Sequence, residues 1–171
     1  MGYAHAPKLP AYNLQSVVDV ESGLIVHHDV CNDANDSHLL HPMSMAAKEV
    51  LETEELHVLT DGGYSNALEV ARCEADAIIV SAPIKRGAMN TEHFRPTQFV
   101  YDEESDTIRC PAGETLRPSG KHTRNRAVRY RTSACKDCQL KGRCTPGAQR
   151  TIHRLVDQSA LDRMERRIYA D

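Results

Sequence analysis

The feature that most constrains this fold is a repeated change of apolar period between Leu14 and Pro83. "AYNLQSVVDVESGLIVHHDVCN" has Leu14, Val17 and Val18 before, and Leu24, Ile25 and Val26 after, the turn-forming Glu21, Ser22 and Gly23, which predicts a β-hairpin. In "DANDSHLLHPMSMAAKEVLE" the period becomes helical. Leu39, Leu40, Met43, Ala46, Ala47, Val50 and Leu51 fall on one side, predicting an amphipathic helix of about four turns with Asp36 as its cap. Pro42 belongs in its first turns or at a short break before it. Leu56, Val58 and Leu59 then form a strand ending at Asp61. Asn66 and Glu69 read as a cap-and-return pair before a short helix through Val70, Ala71 and Cys73. A strand centred on Ile78, Ile79 and Val80 stops at Pro83. Hairpin, helix, strand, helix, strand is an α/β order in which the later strands are expected to run parallel.

Beyond Pro83 the pattern weakens. "IKRGAMNTEHFRPTQ" reads as a polar connector, "FVYDEESDTIRCPAG" as a small hairpin, and the stretch from Leu116 to about Thr151 as basic and loop-rich. A helical pattern resumes with Leu161, Met164 and Ile168. Charge divides the chain at the same place. Residues 1–108 hold 6 Lys/Arg against 18 Asp/Glu, whereas residues 109–171 hold 15 against 6. Between Arg117 and Arg154, 11 Lys/Arg meet one acid, Asp137, so this segment reads either as a polyanion-facing surface or as a solvated basic loop. No apolar run is long enough to span a bilayer, and "MGYAHAPKLPAYNLQ" lacks the regions of a signal peptide, so a soluble, cytoplasmic protein without a membrane partner is expected.

Four of the six cysteines cluster: Cys110 in "RCPAG", and Cys135, Cys138 and Cys144 in "CKDCQLKGRC". A pair two residues apart can chelate one ion through a tight turn, which makes these four candidates for a structural Zn²⁺ site. Cys110 has no near partner and the step from Cys138 to Cys144 is long, so reduced thiols or a redox pair stay open as alternatives. Cys31 and Cys73 sit in apolar contexts and read as core residues. His27, His28, His38 and His41 lie in no catalytic motif and read as solvated or hydrogen-bonded side chains.

"LHVLTDGGYSNALEV" carries the remaining chemical signal. A carboxylate at the carboxyl end of a sheet strand stands where α/β folds bind ligands, and Gly62 and Gly63 leave room beside it. The competing reading is an Asp that only caps a turn. Asp19, Asp29 and Asp36 are the candidates for a second carboxylate beside it, which a small metal-dependent hydrolase would require.

"YNLQSVVDVESGLIVHHDVCNDANDSHLLHPM", "LTDGGYSNALEVARCEADAIIVSAP" and "FVYDEESDTIRCPAG", continued by "YRTSACKDCQLKGRCT" and "RTIHR", resemble successive blocks of the DDE transposases of bacterial insertion sequences, in the subgroup with a cysteine-rich insertion. The resemblance runs from about Tyr12 to the end of the chain. It implies a partial ribonuclease-H-like core over residues 12–84, a basic cysteine-rich insertion over 85–154, and the start of the C-terminal helical part over 155–171. It also implies DNA strand cleavage and transfer by three acids holding Mg²⁺, with insertion-sequence ends and target DNA as partners. Asp61 matches the second acid. The first belongs to a strand before "YNLQ", and the third to a helix beyond "IYAD", so Asp19 and Glu165 are not assigned. The chain is therefore expected to be the middle of a transposase, catalytically incomplete. Without the strand beside that of Asp61, the sheet should expose backbone and apolar groups and self-associate. The alternative is a non-catalytic, zinc-stabilised nucleic-acid-binding module.

Overall fold

The computed structural model describes residues 12–84, 93–122 and 126–169, leaving the side chains of Lys121 and His122 aside. Most of the predicted connector after Pro83, residues 85–92, lies outside them. The chain is mixed α/β and divides into two compact units, residues 1–85 with 160–171, and residues 86–159. No described helix is long and apolar enough to cross a membrane.

The first unit follows the predicted order. Strands β1 (Asn13–Val18) and β2 (Ile25–Cys31) form an antiparallel hairpin with Leu14 opposite Val30. Gly23 has φ of 72° in its turn, a conformation open to glycine at no steric cost, and its N–H donates to the Asp19 carbonyl at 2.9 Å. Helix α1 (Leu40–Val50) buries Leu40, Met43, Ser44 and Ala47. Strand β3 (Leu56–Leu59) pairs in parallel with β4 (Ile78–Ser81), in register from Leu56 opposite Ile78 to Leu59 opposite Ser81. Between them stand the 3-10 turn Gly62–Tyr64 and helix α2 (Ala67–Ala75). Helix α3 (Gln158–Ile168) adds buried Leu161 and Met164 from its part in this unit, and its Arg163 and Arg167 both pair with Glu74 of α2.

Two expectations for α1 need correction. It has three turns rather than four, because Asp36 is not its cap: Leu39 holds the N-cap position without a side-chain bond. Pro42 sits in the first turn, where its missing N–H leaves no bond unmade. The donor of His41, otherwise an orphan of the helix start, is taken at 3.2 Å by the Glu69 carboxylate of α2, which is 1% exposed. Glu69 therefore does not return to its own helix start. Asn66 caps α2 alone, accepting from the Leu68 N–H at 3.0 Å, while its amide donates to the Ser37 carbonyl at 2.8 Å.

The strands of this unit form two separate two-stranded sheets. On one face of the hairpin Leu14, Val18, Ile25 and Val30 are exposed, as is Leu59 at the end of β3.

The second unit is a five-stranded antiparallel meander in the order β5 (Val100–Asp102), β6 (Thr107–Arg109), β7 (Thr115–His122), β8 (Ala127–Arg131) and β9 (Ile152–Leu155). The "DEESD" hairpin stands as predicted. The basic stretch is loop-rich from residue 132 to 151, as expected, but its first part is sheet, in β7 and β8. "AVRYR" alternates arginine with Val128 and Tyr130, and that period of two suits a half-buried strand. Phe99, Ile108, Leu116, Tyr130 and Ile152 form the core, with Cys110 and Cys144 packed against it. At the β5–β6 turn Asp106 accepts from the hydroxyls of Tyr130 at 2.6 Å and Tyr101 at 3.1 Å. Burial raises the pKa of both phenols, and the Asp106 carboxylate raises them further.

Candidate carboxylate pair, thiol cluster and basic sheet face

Asp61 follows β3 and begins the 3-10 turn, where its carboxylate accepts from the Gly63 N–H. A Cβ at Gly63 would meet Asp61 Oδ1 at 2.7 Å and Asp36 Oδ2 at 3.6 Å, so both carboxylates border the space beside this glycine. Asp36 is thus the second acid brought to Asp61, while the hairpin places Asp19 elsewhere, at the β1–β2 turn, bonded to Ser22. The other oxygen of Asp36 accepts from the amides of Asn13 at 2.8 Å and Gln15 at 2.9 Å. Tyr64 donates its hydroxyl to Gln15. Burial raises the pKa of that phenol, and the charges of Asp36 and Asp61 raise it further. The cluster therefore joins the start of the hairpin, the loop before α1 and the end of β3. Chemically it offers two carboxylates, each with one oxygen already engaged, and no described third.

The four clustered cysteines come from separate turns of the second unit. Cys110 opens the β6–β7 turn, where Gly113 N–H donates to its carbonyl at 2.8 Å and Gly113 has φ of 83°. Cys135 lies in the 3-10 turn Ser133–Lys136, and Cys138 and Cys144 flank a second one, Lys141–Arg143. All four cysteines line one cavity whose walls include Phe94, Phe99 and Leu116. Burial pushes the Cys144 thiol above its ordinary pKa, the Arg150 guanidinium pulls it down, and the other three cysteines push it up. All are free thiols, and among the described residues no three His, Cys, Asp or Glu side chains already stand at metal-ligand spacing. Cys73, by contrast, is fully buried beside α1. Its pKa is pushed up to about 12, first by burial and then by the Glu69 charge.

Three arginines of this unit lie over aromatic rings: Arg143 on Phe94 at 5.1 Å, Arg150 on Phe99 at 5.4 Å and Arg154 on Tyr101 at 3.7 Å from the ring centroid. Arg150 also donates to the Cys144 carbonyl at 3.2 Å and the Phe94 carbonyl at 3.3 Å, so it braces the turns around the thiols. A different set shares the outer face of the sheet. Ile108 is opposite Leu116, and Tyr130 is opposite Ile152, on the core side. Side chains alternate, so Arg109, Arg117, Arg129 and Arg131 lie on the other side; Arg109 and Arg117 are exposed, whereas Arg129 is half-buried with its Nε enclosed and Arg131 Nε donates to the Thr151 hydroxyl at 3.1 Å. Arg117 stands directly opposite Arg131 across β7 and β8, and like charges so placed are destabilising. The Arg129 guanidinium lies over Gly120, where an added Cβ would approach its Nη2 to 2.8 Å. The charge count located this basic segment; the sheet face appears only once β6, β7 and β8 are paired.

Of the histidines expected to be solvated or hydrogen-bonded, His28 and His38 are exposed and His41 is bonded. His41 Nε2 meets Asp76 Oδ2 at 2.7 Å, a hydrogen bond between α1 and the end of α2. Comparison with known proteins adds no identification: no family model, curated protein or solved structure matches the chain.

Proposed function

We propose that this chain is a piece of an insertion-sequence transposase, built for nucleic-acid contact and incomplete for strand cleavage. In this reading the first unit is part of a ribonuclease-H-like core and Asp61 is one of its acids. The observation that carries the nucleic-acid role is the outer sheet face of Arg109, Arg117, Arg129 and Arg131, opposite the apolar core. Arginine forks suit phosphate oxygens, and such contacts supply affinity with little sequence information. The resemblance makes the partner DNA, contacted through its backbone by this face.

The resemblance implies Mg²⁺, and the carboxylates present bear on it. Two ions about 4 Å apart need several carboxylates to hold and neutralise them. The described residues supply Asp36 and Asp61, each with one oxygen already committed to amide or backbone donors. That set does not fit a two-ion centre, so no cleavage step is assigned to it. The test is nicking of supercoiled plasmid by pure protein with Mg²⁺. No nicking that depends on Asp61 is expected, and a sharp loss of nicking in Asp61→Ala would show the incompleteness to be wrong.

The second reading is a nucleic-acid-binding module without chemistry. It is favoured by the second unit having its own core and sheet. A variant bearing Arg117→Ala and Arg131→Ala should bind DNA more weakly under either reading, and a binding module without chemistry would interfere with an intact transposase in a transposition assay.

A further inference from the structure

We propose that Cys110, Cys135, Cys138 and Cys144 form a structural zinc site that orders the turns of the second unit. Two independent observations support it. The first is convergence: four cysteines, separated by up to a strand pair in sequence, line the same cavity. Zinc takes such a set as a closed tetrahedron, and Cys135 and Cys138 have the two-residue spacing of a chelating turn. Cys110 supplies a second tight turn, made possible by the positive φ of Gly113.

The second observation is an energetic deficit. Residues 132–151 contain no fully buried side chain and no strand, only two 3-10 turns. Ordering a residue costs about 1.5 kcal/mol, and this segment has almost no apolar burial of its own to offset that. The core it rests on is small, so a metal staple is the kind of support such a unit needs. Bracing by Arg150 holds its far end, while Cys135 and Cys138 stay half-buried on the cavity wall.

In the structure the cysteines share the cavity without standing at ligand spacing. Binding would close them onto the ion by side-chain rotation and adjustment of the turns, coupling metal uptake to ordering. Four thiols would release four protons as Zn²⁺ enters, leaving two formal negative charges on the centre. Lys141 and Arg150 line the same cavity and offset them. A site closed by four thiolates has no open position, so its role is structural and needs no part of the DNA reading.

The test is metal content of the full chain purified under reducing conditions, followed by titration of the metal-free protein with Co²⁺. About one zinc per chain is expected, together with the intense thiolate-to-cobalt and d–d absorption of a tetrahedral site. Each of Cys110→Ser, Cys135→Ser, Cys138→Ser and Cys144→Ser should lower zinc to less than about half an ion per chain, while Cys31→Ser and Cys73→Ser keep it. Wild-type protein with less than about half an ion and no tetrahedral thiolate spectrum would overturn the site, even if every serine variant failed to fold. A Cys135–Cys138 disulfide in freshly reduced protein would overturn it too. Duplex binding measured on the same sample separates this result from the proposed function, since zinc without DNA binding would sink only the latter.

Discussion

Removing the Glu69 carboxylate should loosen the first unit by an amount that depends on what replaces it. Glu69 is 1% exposed, accepts the His41 N–H at 3.2 Å and pairs with Arg72 at 3.1 Å. No acid lies in the first turn of α1, so Glu69 supplies from α2 the negative charge that a helix start favours. Glu69→Gln keeps the shape and an acceptor, and loses only the difference between a charged and a neutral hydrogen bond, about 1 kcal/mol. Glu69→Ala leaves the buried His41 N–H unpaired, about 1–3 kcal/mol, and adds a void. Arg72 is half exposed and its freed guanidinium is rehydrated, so the usual cost of stranding a buried charge does not apply in full. The sum is roughly 2–4 kcal/mol for Ala. Urea unfolding followed by circular dichroism at the helix band reads this unit, which contains α1, α2 and most of α3. Gln as damaging as Ala, or an Ala cost below about 0.5 kcal/mol, would refute this role of Glu69.

Two further outcomes follow from the same unit. Asn66→Ala removes both the α2 cap and the bond to the Ser37 carbonyl, and should cost about 1–2 kcal/mol in the same unfolding assay, whereas Asn66→Asp keeps the cap and loses only the amide donor. The Cys73 thiol should resist alkylation at pH 8 in folded protein while denatured protein reacts at once. Its folded pKa is about 12 against an ordinary 9.0, so the folded state keeps a proton that the unfolded state gives up. Its contribution to stability is complete below pH 9.0 and falls away as pH rises toward about 12. Cys73→Ala or Cys73→Val should flatten that fall.

How much of this was legible depended on whether the signal was local. The hairpin, α1, β3, α2 and β4 follow from runs whose apolar period is set by the strand or helix itself, and Asn66 caps α2 because a cap needs only its own next residues. Asp36 and Glu69 were misread for the same reason. Each has a plausible local role, and each is claimed instead by a distant element: Asp36 by the amides of β1, and Glu69 by the start of α1. The nearness of Asp36 to Asp61 is a product of the loops that follow β2 and β3, and no spacing encodes it. Strands β7 and β8 fall in a stretch whose sequence looks loop-rich because Pro118, Gly120 and the arginines hide a period of two. Pro118 is tolerated next to a register shift between Pro118 and Lys121, where the regular ladder is already interrupted. The cysteines were found by spacing, but that Cys110 reaches the cavity of the other three depends on the sheet beneath them.

The central claim is that the arginine face of the second unit binds the DNA backbone. Fluorescence anisotropy of a labelled duplex of arbitrary sequence, titrated between about 50 and 200 mM salt, addresses it directly. Four phosphate contacts would give a slope of log affinity against log salt of about −3.6, and Arg117→Ala with Arg131→Ala should make it shallower by about 2. Absence of binding at the low-salt end, or binding whose salt slope is unmoved by the two substitutions, would contradict the claim.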